Sequence, residues 1–277
     1  MVARHAQPSA RKSLSRRSKA VGGLALTTLV GTALWAWPAS GDDHDGLADG
    51  RNGAPKTAAA PDTAGAPKAA AGTARNAAAP AAARRIPGLS DAVRKQIPAN
   101  TRQVLVVTGR ARDSYESQVV LYTRAEGSDV WRPGRVWAAH NAAHGWTDDH
   151  HYGDLRSPEG VYSLTDAGGR LPAPDGTKLP YDHNRNFVAN GTGVEGEPLA
   201  GAFDYVIAIN YNRVPGTSPL DQERPDGATK GGGVWLHMDH DGPTQGCVSL
   251  KPDAMRELLR TLDPGLHPVV VMGPADR

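Results

Sequence analysis

Gly231-Gly232-Gly233-Val234-Trp235-Leu236-His237-Met238-Asp239-His240-Asp241-Gly242-Pro243-Thr244-Gln245-Gly246-Cys247-Val248-Ser249-Leu250 reads as a short apolar strand, a tight turn and a second apolar element. The strand delivers His237 to its end. Asp241-Gly242-Pro243 supplies turn chemistry and folds the chain back, so that Gly246-Cys247 stands where the second element begins. Units of this kind predict a β-rich fold, and the surrounding sequence repeats them. Apolar, β-branched runs recur at 104–107, 118–122, 135–138, 205–209, 234–236 and 268–272, with Gly, Pro, Asn and Asp between them. That is the pattern of a β-sandwich or barrel. Strand runs do not alternate with long helical patterns, which excludes a doubly wound α/β fold. Met255, Leu258, Leu259 and Leu262 keep helical spacing after Pro252, and Asp263-Pro264-Gly265 ends that helix. A second, shorter helix is predicted over 90–96.

Outward from this region the composition changes. Residues 42–85 are dominated by Ala, Pro, Gly and Thr with no apolar periodicity. Such a stretch buries too little surface to offset its ordering entropy, and it predicts a disordered linker. Residues 1–41 carry a basic leader (Arg4, Arg11, Lys12, Arg16, Arg17, Lys19), an apolar run over 20–37 and small residues before Asp42. This predicts an exported protein, with 1–41 a cleaved signal peptide or a signal anchor. If retained, residues 20–37 tether it to the membrane. The protein is then extracellular or associated with the cell wall. Residues 86–277 are left for one domain, long enough for a substantial core. The formal net charge of +2 comes with no basic stripe interleaved with aromatics, which argues against nucleic acid as a partner.

The chain has one cysteine, so Cys247 cannot take part in an internal disulfide. A free cysteine alone is most often a small core residue. Here its neighbours point elsewhere. A thiol is mostly protonated at neutral pH, and an imidazole such as His237 raises its thiolate fraction. This predicts faster alkylation than that of a free thiol in solution. Gly246 lacks a Cβ, which allows approach to the backbone N–H groups beside the nucleophile. Nucleophile, base and oxyanion donors are the parts of an acyl-transfer site.

Leu236-His237 followed by Thr244-Gln245-Gly246-Cys247-Val248 resembles the signature of L,D-transpeptidases with a YkuD-type catalytic domain, in which an upstream His and a [Ser/Thr]-His-Gly-Cys box share one site. Gly153-Asp154-Leu155-Arg156-Ser157-Pro158-Glu159-Gly160-Val161-Tyr162 resembles the family's Gly-Asp-x-x-Thr-Pro-x-Gly-x-Phe/Tyr segment, and Phe203-Asp204-Tyr205-Val206-Ile207 fits the strand that follows. The resemblance implies a YkuD-like β-sandwich. It also implies Cys247 as nucleophile, His237 as general base and then acid, and the N–H groups of Gly246 and Cys247 as oxyanion donors. Thr244 and Gln245 are expected beside the substrate. The substrates it implies are peptidoglycan stem peptides: a thioester forms on Cys247, terminal D-alanine leaves, and an amine on another stem takes the acyl group. No metal or cofactor is required by that chemistry.

Three departures from the family pattern bear on the second half of the reaction. Gln245 replaces the histidine before Gly-Cys, Ser249 stands where Arg or Asn is frequent, and the loop from His237 to Cys247 is short. Gln245 carries no proton, so acid–base work falls on His237, with His240 as a secondary base. Asp239 or Asp241 either orients the imidazole or serves the turn. Hydrolysis of the acyl-enzyme, an L,D-carboxypeptidase activity, stays open beside transpeptidation. Two other classes compete. His140, His144, His150 and His151 cluster, but Asn141 stands where a zinc protease helix needs Glu, so loop histidines are expected. Trp131, Trp137, Trp146 and Trp235 suit a non-catalytic wall-binding module if they stack on sugars, although strand tryptophans such as Trp137 and Trp235 are more often core.

Overall fold

The computed structural model describes residues 80–275, so the expected signal and nearly all of the expected linker lie outside the described residues. In chain order the elements are α1 (Asp91–Gln96), β1 (Gln103–Gly109), β2 (Glu116–Thr123), β3 (Arg132–His140), β4 (Trp146–Thr147), β5 (Ser157–Pro158), β6 (Gly160–Ser163), β7 (Ala167–Gly169), β8 (Tyr181–His183), β9 (Val206–Ala208), β10 (Trp235–Met238), β11 (Val248–Leu250), α2 (Pro252–Thr261) and β12 (Val269–Pro274). Ten strands form one sheet in the order β6-β12-β1-β2-β3-β11-β10-β9-β7-β8, and β4 pairs with β5 apart from it. The protein is mainly β with two short α-helices, as the strand runs predict.

The sheet curls. Asn210, just after β9, donates its backbone N–H to Ser163 of β6 at 3.1 Å, joining a strand near one end of the sheet to the strand at the other. The two walls of this single curled sheet enclose the main core. Leu105 and Val107 of β1, Val270 and Met272 of β12, Ile207 of β9 and Leu236 of β10 share it with Met255, Leu258 and Leu259 of α2. The alternate residues of the same central strands, Val104, Val106, Val269 and Val271, face a second cluster under α1 with Ile86, Leu89, Tyr122 and Trp131. β1 and β12 are therefore buried on both faces, which explains why they read as unbroken valine-rich runs rather than alternating ones.

α2 places Ala254, Met255, Leu258 and Leu259 on one buried stripe, with Pro252 at its start. α1 is capped by Ser90, whose hydroxyl accepts the Val93 N–H at 3.3 Å. Ordered pairing begins slightly before 86: Ala83 and Trp131 exchange backbone hydrogen bonds of 3.0 and 2.8 Å. Trp131 anchors that exchange because its ring is buried in the second cluster. Among the described residues no helix is long and apolar enough to cross a membrane.

Candidate active site

The strand–turn–strand of the opening stretch is a parallel pair. β10 and β11 run side by side with Leu236 opposite Val248, His237 opposite Ser249 and Met238 opposite Leu250. Side chains alternate along a strand, so Leu236 and Val248 enter the core while His237 and Ser249 take the other face. Cys247, two residues before Ser249, shares that face. Adjacent strands lie roughly 4.8 Å apart and two residues span roughly 6.6 Å. Nucleophile and imidazole are thus diagonal neighbours on one surface.

His237 is held in one tautomer. Its Nδ1 lies 2.9 Å from the Met238 carbonyl oxygen, which has no proton to give, so Nδ1 donates and Nε2 carries the lone pair. The ring lies edge-on to Phe203 with centroids 5.4 Å apart, and stacks on His240 at 5.6 Å. Burial holds its pKa down to about 4, against the opposing hydrogen bond to Met238 and with the nearby His240 adding to the fall. His237 is a neutral base at neutral pH.

Cys247 is partly exposed at the residue level, yet its thiol is also desolvated. Burial pushes its thiol up to about 11, partly countered by the Trp235 N–H, which donates to Sγ at 3.4 Å. Sγ in turn donates to the Gly233 carbonyl at 3.6 Å. Burial of each group thus favours a neutral thiol and a neutral imidazole over a thiolate–imidazolium pair. Burial of the thiol works against the fast alkylation expected from the imidazole alone. Iodoacetamide at pH 7.5 is expected to modify Cys247 at least tenfold more slowly than free cysteine, since the thiolate is the reacting form. Modification faster than free cysteine, followed by intact mass, would show an ion pair instead.

The turn that presents Cys247 is clamped from two sides. The Thr244 hydroxyl donates to the Cys247 carbonyl at 2.6 Å and accepts the Gly246 N–H at 3.3 Å. Ser157 Oγ lies 3.4 Å from the same carbonyl and accepts the Ala142 N–H at 3.0 Å. Ser157 belongs to the second family-like segment, and this contact brings the two distant motifs together. Asn141 and Ala143 pair with Thr244 through the backbone at 3.0 and 2.9 Å. Of the two expected oxyanion donors, Gly246 N–H is occupied by Thr244, whereas Cys247 N–H has no partner among the described residues. Gln245 is exposed at the turn.

The carboxylates do not touch His237. Asp239 Oδ1 lies 2.9 Å from His140 Nδ1 and accepts Ser249 Oγ at 3.0 Å, while Oδ2 pairs with Lys251 Nζ at 2.9 Å. Burial works to raise the Asp239 pKa, but His140, Lys251 and Ser249 outweigh it and hold the carboxyl far below the usual range. The hydrogen bond to Asp239 raises His140 against its own burial. Asp241 is exposed with φ of 63° and pairs with Lys251, which is the turn role. His240 is buried behind His237, its Nδ1 3.1 Å from Oε1 of Glu197.

The other histidines have separate partners. His150 Nδ1 lies 3.1 Å from Asp154, and the His144 and His151 rings reach backbone oxygens of Asp154 and Asp149. No group of three or more His, Cys, Asp or Glu among the described residues is placed to hold a metal ion. Trp131, Trp137 and Trp146 are buried, and Trp235 packs edge-on against Phe187 and Phe203.

Sequence reasoning missed Glu197, Phe203 as a ring on His237, the Ser157 clamp and His150, which lies against Gly246. Ser157 had a sequence signal in the Gly153–Tyr162 motif, Phe203 in the segment that follows it and His150 in the histidine cluster, whereas Glu197 had none.

The family model of the L,D-transpeptidase catalytic domain, YkuD, matches residues 116–271, and the chain belongs to that family. Its activity is accordingly of the L,D-transpeptidase type, on peptidoglycan. No curated protein matches the chain.

Proposed function

We propose that this protein is an exported cysteine acyltransferase that remodels or cross-links peptidoglycan through a thioester on Cys247. The observation that carries the reading is the pairing of β10 with β11, which sets Cys247 and His237 diagonally on one face, with the Met238 carbonyl holding Nδ1–H so that Nε2 carries the lone pair. With both groups neutral, proton transfer accompanies attack. As Sγ bonds to the stem peptide's carbonyl carbon, Nε2 takes the thiol proton and the developing oxyanion turns to the Cys247 N–H. Collapse breaks the C–N bond to terminal D-alanine, and the imidazolium returns the proton to the leaving amine. An acceptor amine then attacks the thioester, His237 removes its proton, and the thiol is restored.

His240 serves as a secondary base only if His237 moves aside, since its ring stacks behind. The basic leader and the apolar run over 20–37 support delivery outside the cell, with or without retention as a tether. Burial of three of the four tryptophans singled out in the sequence weighs against a module that only binds sugars.

The test is incubation with defined tetrapeptide muropeptides and mass analysis of the products, alongside exposure to a carbapenem. Cross-linked dimers and a stable adduct on Cys247 are the expected results. Trimmed tripeptide without dimer would make water the acceptor and the enzyme a carboxypeptidase. Neither product nor adduct would overturn the acyltransferase.

A further inference from the structure

Gly231, Gly232 and Gly233 have φ values of 67°, 151° and 66°, a run of backbone that side-chain-bearing residues rarely adopt. His150 and Tyr152 lie against Gly231, while the space left by Gly232 and Gly233 is occupied by Arg224. A Cβ at Gly232 would overlap its Nε and Cδ, and a Cβ at Gly233 would sit 3.7 Å from its Nη2. The guanidinium therefore lies along the glycine strand that leads into β10, on the segment whose Gly233 carbonyl receives the Cys247 thiol. Its own bonds are limited: Nη1 donates to the backbone carbonyls of Asp221 at 2.9 Å and Glu223 at 2.7 Å. No carboxylate comes within ion-pair distance of Arg224 among the described residues, although the charge of Asp221 is near enough to act on it, and Nε and Nη2 have no hydrogen-bond acceptor there.

Two other arginines of low exposure are matched by carboxylates, whereas partly buried Arg124 bonds only to the Thr101 and Ala99 carbonyls and lies over the Trp131 ring. Arg213 is paired with Asp166 at 2.9 Å, and Arg156 with Asp113 at 2.8 Å. A partly buried guanidinium with an unused donor edge, seated against Gly232 and Gly233 on the segment that receives the Cys247 thiol, is suited to a carboxylate that arrives with the substrate. The planar fork of arginine binds carboxylates through two parallel hydrogen bonds. At Ser249, where the family often has Arg or Asn, this chain has a hydroxyl already given to Asp239.

We propose that Arg224 is a specificity-determining residue that binds the terminal carboxylate of the amino acid released from the acyl donor. This rests on the acyl-transfer reading of Cys247. In that substrate the carboxylate is separated from the scissile carbonyl only by the amide nitrogen and one α-carbon, so a cation for it belongs close to Sγ. Binding there selects stems that end in a free acid and orients the scissile amide over the thiol.

The test compares tetrapeptide stems with a free C-terminal acid, the same stem as a C-terminal amide, and a stem amidated only at an internal side-chain carboxylate. Each is assayed for kcat/KM with wild type, Arg224→Gln and Arg224→Lys. Wild type is expected to prefer the free acid over the C-terminal amide by about 30-fold, a size typical of charge-assisted hydrogen bonds. In Arg224→Gln that preference collapses to near unity through loss on the acid alone, and Arg224→Lys keeps a reduced preference. Equal losses on acid and amide would mean that Arg224 only shapes the loop, and would overturn the inference, as would a preference that follows the internal carboxylate. Retained wild-type discrimination in Arg224→Gln would overturn it too. Turnover of no stem by wild type, with no carbapenem adduct, would instead remove the acyl-transfer reading beneath it.

Discussion

Replacing His237 by asparagine is expected to lower turnover by about 10³-fold, the middle of the range for a lost general base, while removing part of the domain's acid sensitivity. Asparagine can still donate an amide N–H toward the Met238 carbonyl, so the substitution removes proton transfer more than it removes the local hydrogen bond. The stability effect follows from the buried neutral imidazole. Folding lowers the His237 pKa from 6.5 to about 4, so the unfolded chain binds the proton more readily than the folded one. Stability from this group is complete above pH 6.5 and is lost as pH falls from there to about 4, a drop of about 3 kcal/mol. Urea unfolding at pH 7 and at pH 4.5 should show a smaller difference in His237→Asn than in wild type. His140 titrates in the opposite sense and His150 in the same sense, but both are present in each protein and cancel in the comparison. A parallel loss of stability in the variant would mean that His237 is not held neutral. Unchanged turnover would transfer the proton to another group, with His240 the first to test.

Local pattern carried the proposed nucleophile and base because both lie in one stretch of twenty residues. The alternation of β10 put His237 on a face of its own, and the turn after it brought Cys247 back alongside. The long strands were legible for a similar reason: β1, β2, β3 and β12 have six to nine residues and enough apolar side chains to declare themselves. β4, β5, β7 and β8 have only two or three residues each, several of them Gly, Ala or Ser. Nothing periodic can be read at that length, and their pairing depends on where the curled sheet brings them. The same limit applies around the site. Glu197 reaches His240 from a polar, glycine-rich loop, and Arg224 reaches the glycine strand from another, so neither position is marked by spacing. Ser157 was visible within a motif, but its contact with the Cys247 turn, ninety residues away, is a product of tertiary structure.

Asp239 lies close in sequence to the proposed catalytic histidine without touching it, and Asp239→Asn is expected to separate stability from catalysis. Two residues after His237, a continued strand would put its carboxylate on the same face, where it could orient the imidazole. β10 instead ends at Met238, and Asp239 reaches across to His140, Ser249 and Lys251. The orienting acceptor of His237 is the Met238 carbonyl, which no side-chain substitution removes. Asparagine at 239 deletes a buried anion from between two cations and leaves them facing each other, at a cost of about 2–4 kcal/mol. The pH dependence has a definite window. The lowered carboxyl contributes above its usual pKa near 4 and is lost as pH falls below that. The raised His140 contributes fully below 6.5 and is lost as pH climbs through its folded value. The deficit of the variant should therefore be greater at pH 5.5 than at pH 9, where only Lys251 remains charged opposite residue 239. Turnover of the folded variant at 20 °C is expected to stay within about tenfold of wild type, because the Asp239 carboxylate bonds to His140, Ser249 and Lys251 and not to Cys247 or His237. A loss of about 10³-fold or more, with folding intact by urea titration, would restore Asp239 as the group that orients the base and would displace the Met238 carbonyl from that role.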